Sequence, residues 1–573
     1  MSADPITTEV IRSAYNAIAE DMSAVLERSA FTPSVYEMHD YGIALFNEKV
    51  ELLGQYAGLP LFTGGLDAGV RATIARYGME NLKNGDTFTV NDPYITGGHL
   101  PDVDVICVIA NETDGVIGFA CIRAHWADIG QAVQGYSVYS SSIFEEGLRW
   151  GATQIYRDGA WVRDIIDLFR SNSRVPDTII GDLMAQKMAL DIGKQRLLEL
   201  VQRFGITTVR SATEQIFAAT ERKFRAFVRG IPDGVYEADG YTDHDGIGDT
   251  PVYGHVSVTV KGDELMIDAS KSSPQRPGNI NCGLTYAISA SRLAFALLYP
   301  DANPELNDGS FRPLRVVVRP GTIYSAQLPA ACSKPVPIML LLDLVIKALA
   351  PVLPKNAAAG LPGDSWNIFF AGTRRDIEEP FFAGEALNGG WGAADADDGE
   401  HAVCHSAAGD FRNIPIETFE ARYPILVTSS RLKPDSGGAG RHRGGLALIK
   451  SYQLTEPCNV GSFFDRSKDP SWGLFGGKSG SVPLVTLYPA DGREPMVGHR
   501  FQQVPMPKGS RIVTETGGGG GFGRPFERDP AAVQADVRNG YVTLATAEEV
   551  YGVAFLPGAD EIDVARTASL RSS

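Results

Sequence analysis

Two short stretches in the first quarter of the chain contain residues suited to holding a divalent metal. Residues 91–102 read NDPYITGGHLPD, and residues 123–128 read RAHWAD. Together they offer two imidazoles, from His99 and His125, and several carboxylates in a chain that has only 9 histidines. Imidazole nitrogen combined with carboxylate oxygen suits zinc or manganese, with one position left open for water or a substrate.

The spacing within the stretches limits how these side chains meet. His99 and Asp102 are three residues apart with a proline between them, so they are not a helical pair, and the loop must curl to present both. The two glycines before His99 permit backbone conformations that other residues resist. Asp128, three residues after His125, either orients that imidazole from behind or binds the metal itself. Taken singly, each residue is better explained as an ordinary core or surface residue, and only the group points to a metal.

The flanking patterns predict strands that position the two stretches. Thr87–Val90 is a short strand leading into the first stretch, and residues 103–110 and 118–122 are apolar strands on either side of a polar turn. The second of these strands would begin beside Asp102, and the third would end just before His125. If these strands pair as antiparallel neighbours, the two ends come together.

The whole chain of 573 residues is too long for one hydrophobic core, so several packed units are expected. We predict an α+β fold with mixed and antiparallel sheets and flanking helices, because helical and strand patterns alternate irregularly. The predicted domains are a metal-site domain (1–230), a central α+β segment (231–360), and a β-heavy, glycine-rich C-terminal domain (361–573). Predicted helices are at 5–28, 65–77, 179–204, 208–229, 284–298, 339–350 and 530–539, a β-hairpin is predicted at 41–55, and Thr546 with Glu549 is predicted to cap a further helix.

Composition excludes several classes of partner. The net charge of −17 disfavours nucleic acid and anionic membrane surfaces, which repel an acidic protein. The 6 cysteines are scattered without a CxxC pair, which fits a reducing cytosol. No signal peptide is evident, and the most apolar run, 338–353, is too short to cross a bilayer. A cytoplasmic protein is therefore expected.

Other motifs are weaker candidates. Residues 516–523 (TGGGGGFG) satisfy GxGxxG but do not open a helix, so a flexible loop lining a site or a partner surface is predicted instead of a dinucleotide site. His401, Cys404 and His405 lie in a predicted loop, which disfavours a helical metal pair. Residues 441–443 (RHR) are expected to be solvated. Gly477 lacks the preceding glycine of a phosphate-binding Walker A loop.

The chain resembles the hydantoinase B/oxoprolinase family, whose members include components of ATP-dependent hydantoinases, 5-oxoprolinase, caprolactamase, and acetone and acetophenone carboxylases. The resemblance places the family's metal site on His99, Asp102 and His125. It also places an acidic position near that site on Asp40, as either a fourth ligand or an acid/base. The chain departs from the family pattern at Phe62, where many hydantoinase-type members have histidine. This difference leaves the identity of the substrate open. The matching stretches are 91–94, 97–103, 123–130, 273–275, 311–313, 433–441, 516–523, 528–530 and 550–553.

The resemblance implies a subunit that supports hydrolysis of a cyclic amide such as a hydantoin, 5-oxoproline or caprolactam. An A-type partner, which carries the ATP/Mg²⁺ site, would phosphorylate the amide oxygen in an α2β2-type hetero-oligomer. A Zn²⁺ or Mn²⁺ ion in this chain would activate water, with Asp40 or Asp128 transferring the proton.

Two alternatives remain open at this point. One keeps the metal but carboxylates a ketone through a phosphoenol and bicarbonate. The other makes the chain a non-catalytic scaffold for the A-type partner.

Overall fold

Four β-sheets with packed helices form the framework of the protein. The computed structural model describes residues 3–572 except 57, 134, 136, 302 and 377. Three sheets are entirely antiparallel and one is mixed, so the predicted α+β class with mixed and antiparallel sheets is confirmed. None of the described helices is both long and apolar enough to cross a membrane.

The N-terminal part contains the largest sheet. Its elements are α1 (Pro5–Ser29), α2 (Pro33–Tyr36), β1 (Tyr41–Asn47), β2 (Leu52–Tyr56), α3 (Pro60–Thr63), α4 (Leu66–Tyr77), β3 (Thr87–Val90), α5 (Pro93–Thr96), β4 (Asp102–Asn111), β5 (Gly115–His125), β6 (Thr153–Arg157), β7 (Ala160–Trp161), α6 (Arg163–Ser171), α7 (Pro176–Phe204) and α8 (Ile206–Arg229). The seven strands are antiparallel in the order β2-β1-β5-β4-β3-β6-β7. The predicted hairpin is β1 paired with β2.

Strand β4 is buried along nearly its whole length because helices cover both faces of the sheet. Val103 and Val105 belong to the core under α1 and α7, whereas Ile106 and Val108 belong to the core under α4. Successive side chains of a strand point to opposite faces, so Asp102 lies on the α4 side, on the same face as Ile106. This alternation determines which face of the sheet carries the metal-ligand candidates.

The middle part adds a four-stranded sheet and two apolar helices. Its elements are β8 (Gly234–Thr242), β9 (Val252–Lys261), β10 (Glu264–Asp268), α9 (Leu284–Leu297), α10 (Asp308–Phe311), β11 (Leu314–Val317) and α11 (Pro337–Leu349). The sheet order is β11-β10-β9-β8, with β10 and β11 parallel. Helix α11 packs on β8, β9 and α9, and α9 also contacts α3 and α5 of the N-terminal part. Helix α9 therefore carries residues of the middle part towards the large sheet.

The C-terminal part contains two antiparallel sheets. Its elements are β12 (Asn367–Arg374), β13 (Glu379–Ala386), α12 (Ile416–Arg422), β14 (Ile425–Leu432), β15 (Leu448–Leu454), β16 (Cys458–Phe463), β17 (Leu484–Tyr488), β18 (Met496–Gly498), β19 (Arg500–Met506), β20 (Arg511–Glu515), α13 (Pro530–Arg538), α14 (Leu544–Glu549) and α15 (Val564–Ser572). The sheet orders are β13-β12-β16-β19 and β14-β15-β20-β17-β18.

The glycine run at 516–523 is buried, which contradicts the predicted flexible loop on a site or partner surface. Its amides bond other backbone carbonyls: Gly519 donates to the carbonyl of Gly445 at 3.0 Å. A Cβ added to Gly519 would lie 1.8 Å from the carbonyl oxygen of Trp391, so no other residue type fits there. Glycine is required here because the backbones pack too closely for a side chain, and not because the segment is flexible. We call the segments 389–392, 437–445, 473–480 and 517–521, which pack backbone against backbone, the glycine bundle.

Most predicted helices are present, with shifted ends. Helix α1 is capped as predicted by Asp4, whose side chain accepts the N–H groups of Ile6 and Thr7. The predicted capping box of Thr546 and Glu549 is wrong, because α14 begins three residues earlier. Thr543 is its cap and accepts the N–H of Thr546.

Candidate metal centre

Two neighbouring strands bring the three predicted metal ligands together. Asp102 is the first residue of β4 and His125 is the last residue of β5, and the two are direct partners in the antiparallel register. His99 lies in the turn just before β4, where Asp102 donates its N–H to the carbonyl of His99. Residues 26 positions apart in the chain therefore share one end of the sheet, as the predicted pairing requires.

The distances among the three side chains fit a single cation. Oδ1 of Asp102 lies 3.1 Å from Nδ1 of His99 and 3.3 Å from Nδ1 of His125. Ligands bonded to zinc at 2.0–2.2 Å are about 3.0–3.5 Å from one another. Among the described residues, this is the one group of three or more histidine, cysteine or acidic side chains close enough to share an ion. A donor set of two imidazoles and one carboxylate suits a divalent transition metal with a position left open for another ligand.

Tyr286 holds the Asp102 carboxylate from the side away from the imidazoles. Its hydroxyl donates to Oδ2 of Asp102 at 2.8 Å, which leaves Oδ1 facing both histidines. Tyr286 is 2% exposed and lies at the start of α9. Partners of this kind orient metal ligands and tune their affinity. Tyr286 was not predicted from the sequence because nothing in the local pattern at 284–297 separates it from an ordinary core tyrosine.

The two glycines before His99 have a specific steric role. Gly97 has φ +90°, which favours glycine, and a Cβ there would lie 2.4 Å from the backbone nitrogen of Tyr286. A Cβ on Gly98 would lie 2.6 Å from the Tyr286 hydroxyl and 2.7 Å from Oδ2 of Asp102. The pair therefore lets α9 approach closely enough for its tyrosine to reach the carboxylate.

The charges within the group support one another. Burial favours the neutral form of Asp102, but the two histidines outweigh it and hold the pKa of the carboxyl well below its usual range. Burial likewise opposes a charge on His125, yet its hydrogen bond to Asp102 and the charge of Asp40 raise the pKa of the imidazole. The site thus contains an ionised carboxylate ready to bind a cation.

Asp40 lies beside this group. It immediately precedes β1, and its backbone carbonyl accepts the N–H of His125 at 3.1 Å. Burial raises the pKa of its carboxyl to about 6, against the opposing charge of His125. A partly shielded carboxyl with such a pKa is suited to exchanging protons near neutral pH.

Asp128 lies on the wall of the same cavity but outside the group of clustered ligand atoms. Its carboxylate accepts the backbone N–H and a guanidinium N–H of Arg174, the latter at 2.7 Å, and more distantly Ser173 and Gly130. These contacts tie the loop before α7 to the end of β5. Its predicted role as a metal partner or proton carrier stays a prediction.

The metal-ligand group opens into a cavity of about 520 Å³. All three parts of the chain contribute walls, and many lining residues are apolar, including Phe62, Phe369 and Phe382. Polar groups from the middle and C-terminal parts also line it, including Lys334 and Asn367. These two lie more than 200 residues from the ligand motifs and carry no motif of their own, so sequence analysis missed them.

The remaining sequence candidates have structural partners. His401 accepts the N–H of Leu446 through Nδ1 and lies in a loop, as predicted. His405 accepts the N–H of Ala407 through Nδ1, so its Nε2–H donates to Asp343 at 3.1 Å. Burial raises the pKa of the Cys404 thiol to about 12, which leaves it un-ionised at neutral pH and a poor nucleophile.

The expectation that residues 441–443 are solvated is wrong for Arg443. Its side chain is buried and lies 3.4 Å from a carboxylate oxygen of Asp536. Asp398 accepts both guanidinium ends of Arg528 at 2.6 Å and the N–H of Arg443. Arg443 and Arg528 therefore belong to a buried ion-pair network that joins the glycine bundle to the C-terminal helices.

Comparison with known proteins gives consistent matches along the chain. The sequence model of the family described as Hydantoinase B/oxoprolinase matches residues 4–525. A putative B-type component of a D-/L-hydantoinase from Pseudomonas sp. (strain NS671) is 29% identical over 586 residues, covering 99% of this chain and 98% of that protein. The beta component of caprolactamase from Pseudomonas jessenii is 31% identical over 599 residues, covering 100% of both.

Solved structures also match over nearly the whole of this chain. The crystal structure of the ATP-dependent caprolactamase from Pseudomonas jessenii superposes with a TM-score of 0.92 at 28% identity and covers 100% of both chains. A nucleotide-free structure of acetone carboxylase superposes with a TM-score of 0.88 at 19% identity, covering 99% of this chain and 82% of that one. At that identity the second likeness concerns the fold alone.

Proposed function

The chain belongs to the hydantoinase B/oxoprolinase family, and we propose that it is the metal-binding subunit of an ATP-dependent cyclic amide hydrolase. Its substrate would be a hydantoin, 5-oxoproline or a lactam such as caprolactam. An A-type partner would phosphorylate the amide oxygen, and this chain would promote attack of water on the phosphorylated species. Relatives named as the B-type component of a hydantoinase and the beta component of a caprolactamase support this proposal.

The observation that carries the proposal is the group of His99, Asp102 and His125 at the wall of a cavity that also contains Asp40. A Zn²⁺ or Mn²⁺ ion held by these three side chains would supply Lewis acidity at that wall. Asp40 would accept a proton from the attacking water and later return it to the leaving ring nitrogen. The acyl phosphate that remains would be hydrolysed by a second water, which releases phosphate and the ring-opened acid. The apolar cavity walls exclude bulk water and strengthen these electrostatic contacts.

The relatives and the sequence also support an ATP-binding partner. The relatives' names describe subunits, and the caprolactamase in the solved structure is ATP-dependent. The sequence has no Walker A motif. We therefore place the ATP/Mg²⁺ site on an A-type subunit in an α2β2-type hetero-oligomer in the cytoplasm, and we expect little activity from this chain alone.

The test is to coexpress the chain with its A-type partner and to measure ATP-dependent ring opening and metal content together. The wild-type complex should open at least one cyclic amide of a lactam and hydantoin panel and contain one Zn²⁺ or Mn²⁺ per chain. His99→Ala should lose both the metal and ring opening, because it removes one of three ligands. His442→Ala, at a histidine outside the cavity, is the matched control and should change neither.

Two other results would replace the proposal. ATP consumption that requires a ketone and bicarbonate would identify a component of a carboxylase. A complex that forms normally, contains no stoichiometric metal and is unaffected by His99→Ala would identify a scaffold.

A further inference from the structure

The cavity has a polar patch on the wall contributed by the middle and C-terminal parts, separate from the metal-ligand group. Lys334 donates through Nζ to Oγ of Ser365 at 2.9 Å and to Oδ1 of Asn367. All three residues line the cavity. Lys334 is buried, whereas Asn367, the first residue of β12, retains part of its surface. This patch has no part in holding the metal.

The contacts fix which way the Asn367 amide points. An ammonium group can only donate, so the atom that meets Lys334 must be the amide oxygen. The hydroxyl of Ser365 also lies 3.4 Å from that same oxygen. Nδ2 therefore points away from both. Among the residues that the structure describes, none accepts a hydrogen bond from Nδ2 of Asn367.

A chain of buried charges holds this arrangement in place. Oδ1 of Asp364 lies 3.6 Å from the Lys334 ammonium and accepts the N–H of Ser365, while Oδ2 accepts the N–H of Asp465. Burial lowers the pKa of Lys334, and the Asp364 carboxylate offsets part of that effect. A cation on the amide oxygen draws electron density from the nitrogen, which makes its N–H groups stronger donors.

We propose that Asn367, oriented by Lys334 and Ser365, is the residue that binds an acceptor oxygen of the cyclic amide in this cavity. This assignment rests on the proposed function and deepens it by naming a second point of substrate recognition. The donor is fixed before the substrate arrives, so little reorganisation opposes binding. Ligands that present only donors, such as ammonium groups, are disfavoured by the same geometry.

The test uses the complex with the A-type partner and the cyclic amide that the wild type opens fastest. Asn367→Asp keeps the size of the side chain and its contact with Lys334 but replaces the donor with an acceptor. We expect kcat/KM to fall about 10- to 100-fold, the range for one hydrogen bond involving a charged or polarised group. Metal content, which a disrupted site would lose, should stay at the wild-type level.

A second variant and a control complete the test. Asn367→Ala removes the amide donor without introducing another, and it should reduce kcat/KM at least as much if the aspartate variant is unstable. Asn459→Asp makes the same change at an exposed position of the adjacent strand β16 and should have no effect. Wild-type kcat/KM in folded Asn367 variants would overturn the inference. A wild-type complex that opens no cyclic amide would instead reject the proposed function on which it rests.

Discussion

At the scale of single residues, Asp102 is the centre of the candidate site because its two oxygens have different partners. Oδ1 faces the imidazoles of His99 and His125, and Oδ2 accepts the hydroxyl of Tyr286. A carboxylate held in this way cannot rotate to offer both oxygens to a cation. Tyr286 should therefore set the geometry of the ligand without touching the metal.

Tyr286→Phe should weaken metal binding about 10- to 100-fold, because the carboxylate loses its orienting hydrogen bond. The measurement is calorimetric titration of the metal-free protein with Zn²⁺. Tyr324→Phe is the matched control, since that buried hydroxyl has no hydrogen-bond partner among the described residues. Equal Zn²⁺ affinity in the Tyr286 variant and the wild type would show that the hydroxyl does not position Asp102.

The two acidic residues predicted to transfer protons differ in their surroundings. Asp40→Asn should reduce kcat about 10²- to 10⁴-fold at unchanged metal content, because the proton acceptor is lost. Asp128→Asn should instead lower the midpoint of thermal unfolding, because it weakens the contacts to Arg174, and should leave kcat within about tenfold. The opposite pattern, with kcat dependent on Asp128 and not on Asp40, would exchange their proposed roles.

At the scale of elements, the glycine bundle shows how a glycine-rich chain can be rigid. Its segments approach so closely that carbonyl oxygens occupy the space where side chains would start. Gly519 is enclosed in this way by Trp391 and bonded to Gly445. The backbone hydrogen bonds are buried and paired, which limits local opening.

Gly519→Ala should therefore destabilise the protein by about 3 kcal/mol or more, because the added methyl group would meet a carbonyl oxygen. The measurement is thermal unfolding of the purified chain. Gly151→Ala is the control, since a Cβ there meets no atom of the described residues within 4 Å and its backbone is not left-handed. A Gly519→Ala midpoint as high as that of the control would contradict the close packing.

At the scale of the whole molecule, the cavity exists only where the three parts of the chain meet. Glu146, from the N-terminal part, contributes to this junction by accepting the N–H groups of Cys332 and Ser333 from the middle part at 2.8 and 3.0 Å. The carboxyl is 4% exposed, and burial raises its pKa from 4.5 to about 7. Its protonation is thus coupled to the docking of the two parts.

This coupling predicts a pH dependence of stability. The pKa of Glu146 is higher in the folded state than in the unfolded state, so its bound proton stabilises the fold. This stabilisation is fully present below about pH 4.5 and is lost as the pH rises through about 7. At about 1.4 kcal/mol per unit of pKa difference, the loss is roughly 3 kcal/mol. Between pH 5 and 8, the midpoint of thermal unfolding should fall less in Glu146→Gln than in Glu145→Gln. The second variant is the control, because Glu145 is an exposed neighbour. Parallel curves for the two variants would exclude this role.

Local patterns in the sequence were enough to predict much of this molecule. The four long helices of the N-terminal part, its strands β1 to β5 and the α+β class follow from periodicity and capping residues, which act within a few positions. The short elements α2, α3, α5, α6, β6 and β7 were not predicted. The clustering of histidine and acidic residues in two short stretches pointed to a metal, and the resemblance to the family placed the ligands on His99, Asp102 and His125. Antiparallel pairing of the two intervening strands was the arrangement that would bring these stretches together.

Other features were decided only by tertiary structure. Tyr286 bonds Asp102, which is 184 residues away in the sequence, and Lys334 orients Asn367, which is 33 residues away. No local pattern encodes these contacts. The run at 516–523 has the composition of a flexible loop, yet it becomes rigid because other glycine-containing segments close around it. Short-range chemistry determines which elements form and which side chains are candidates. Long-range packing determines which neighbours they meet, because the partners of a buried polar group are chosen by the whole fold.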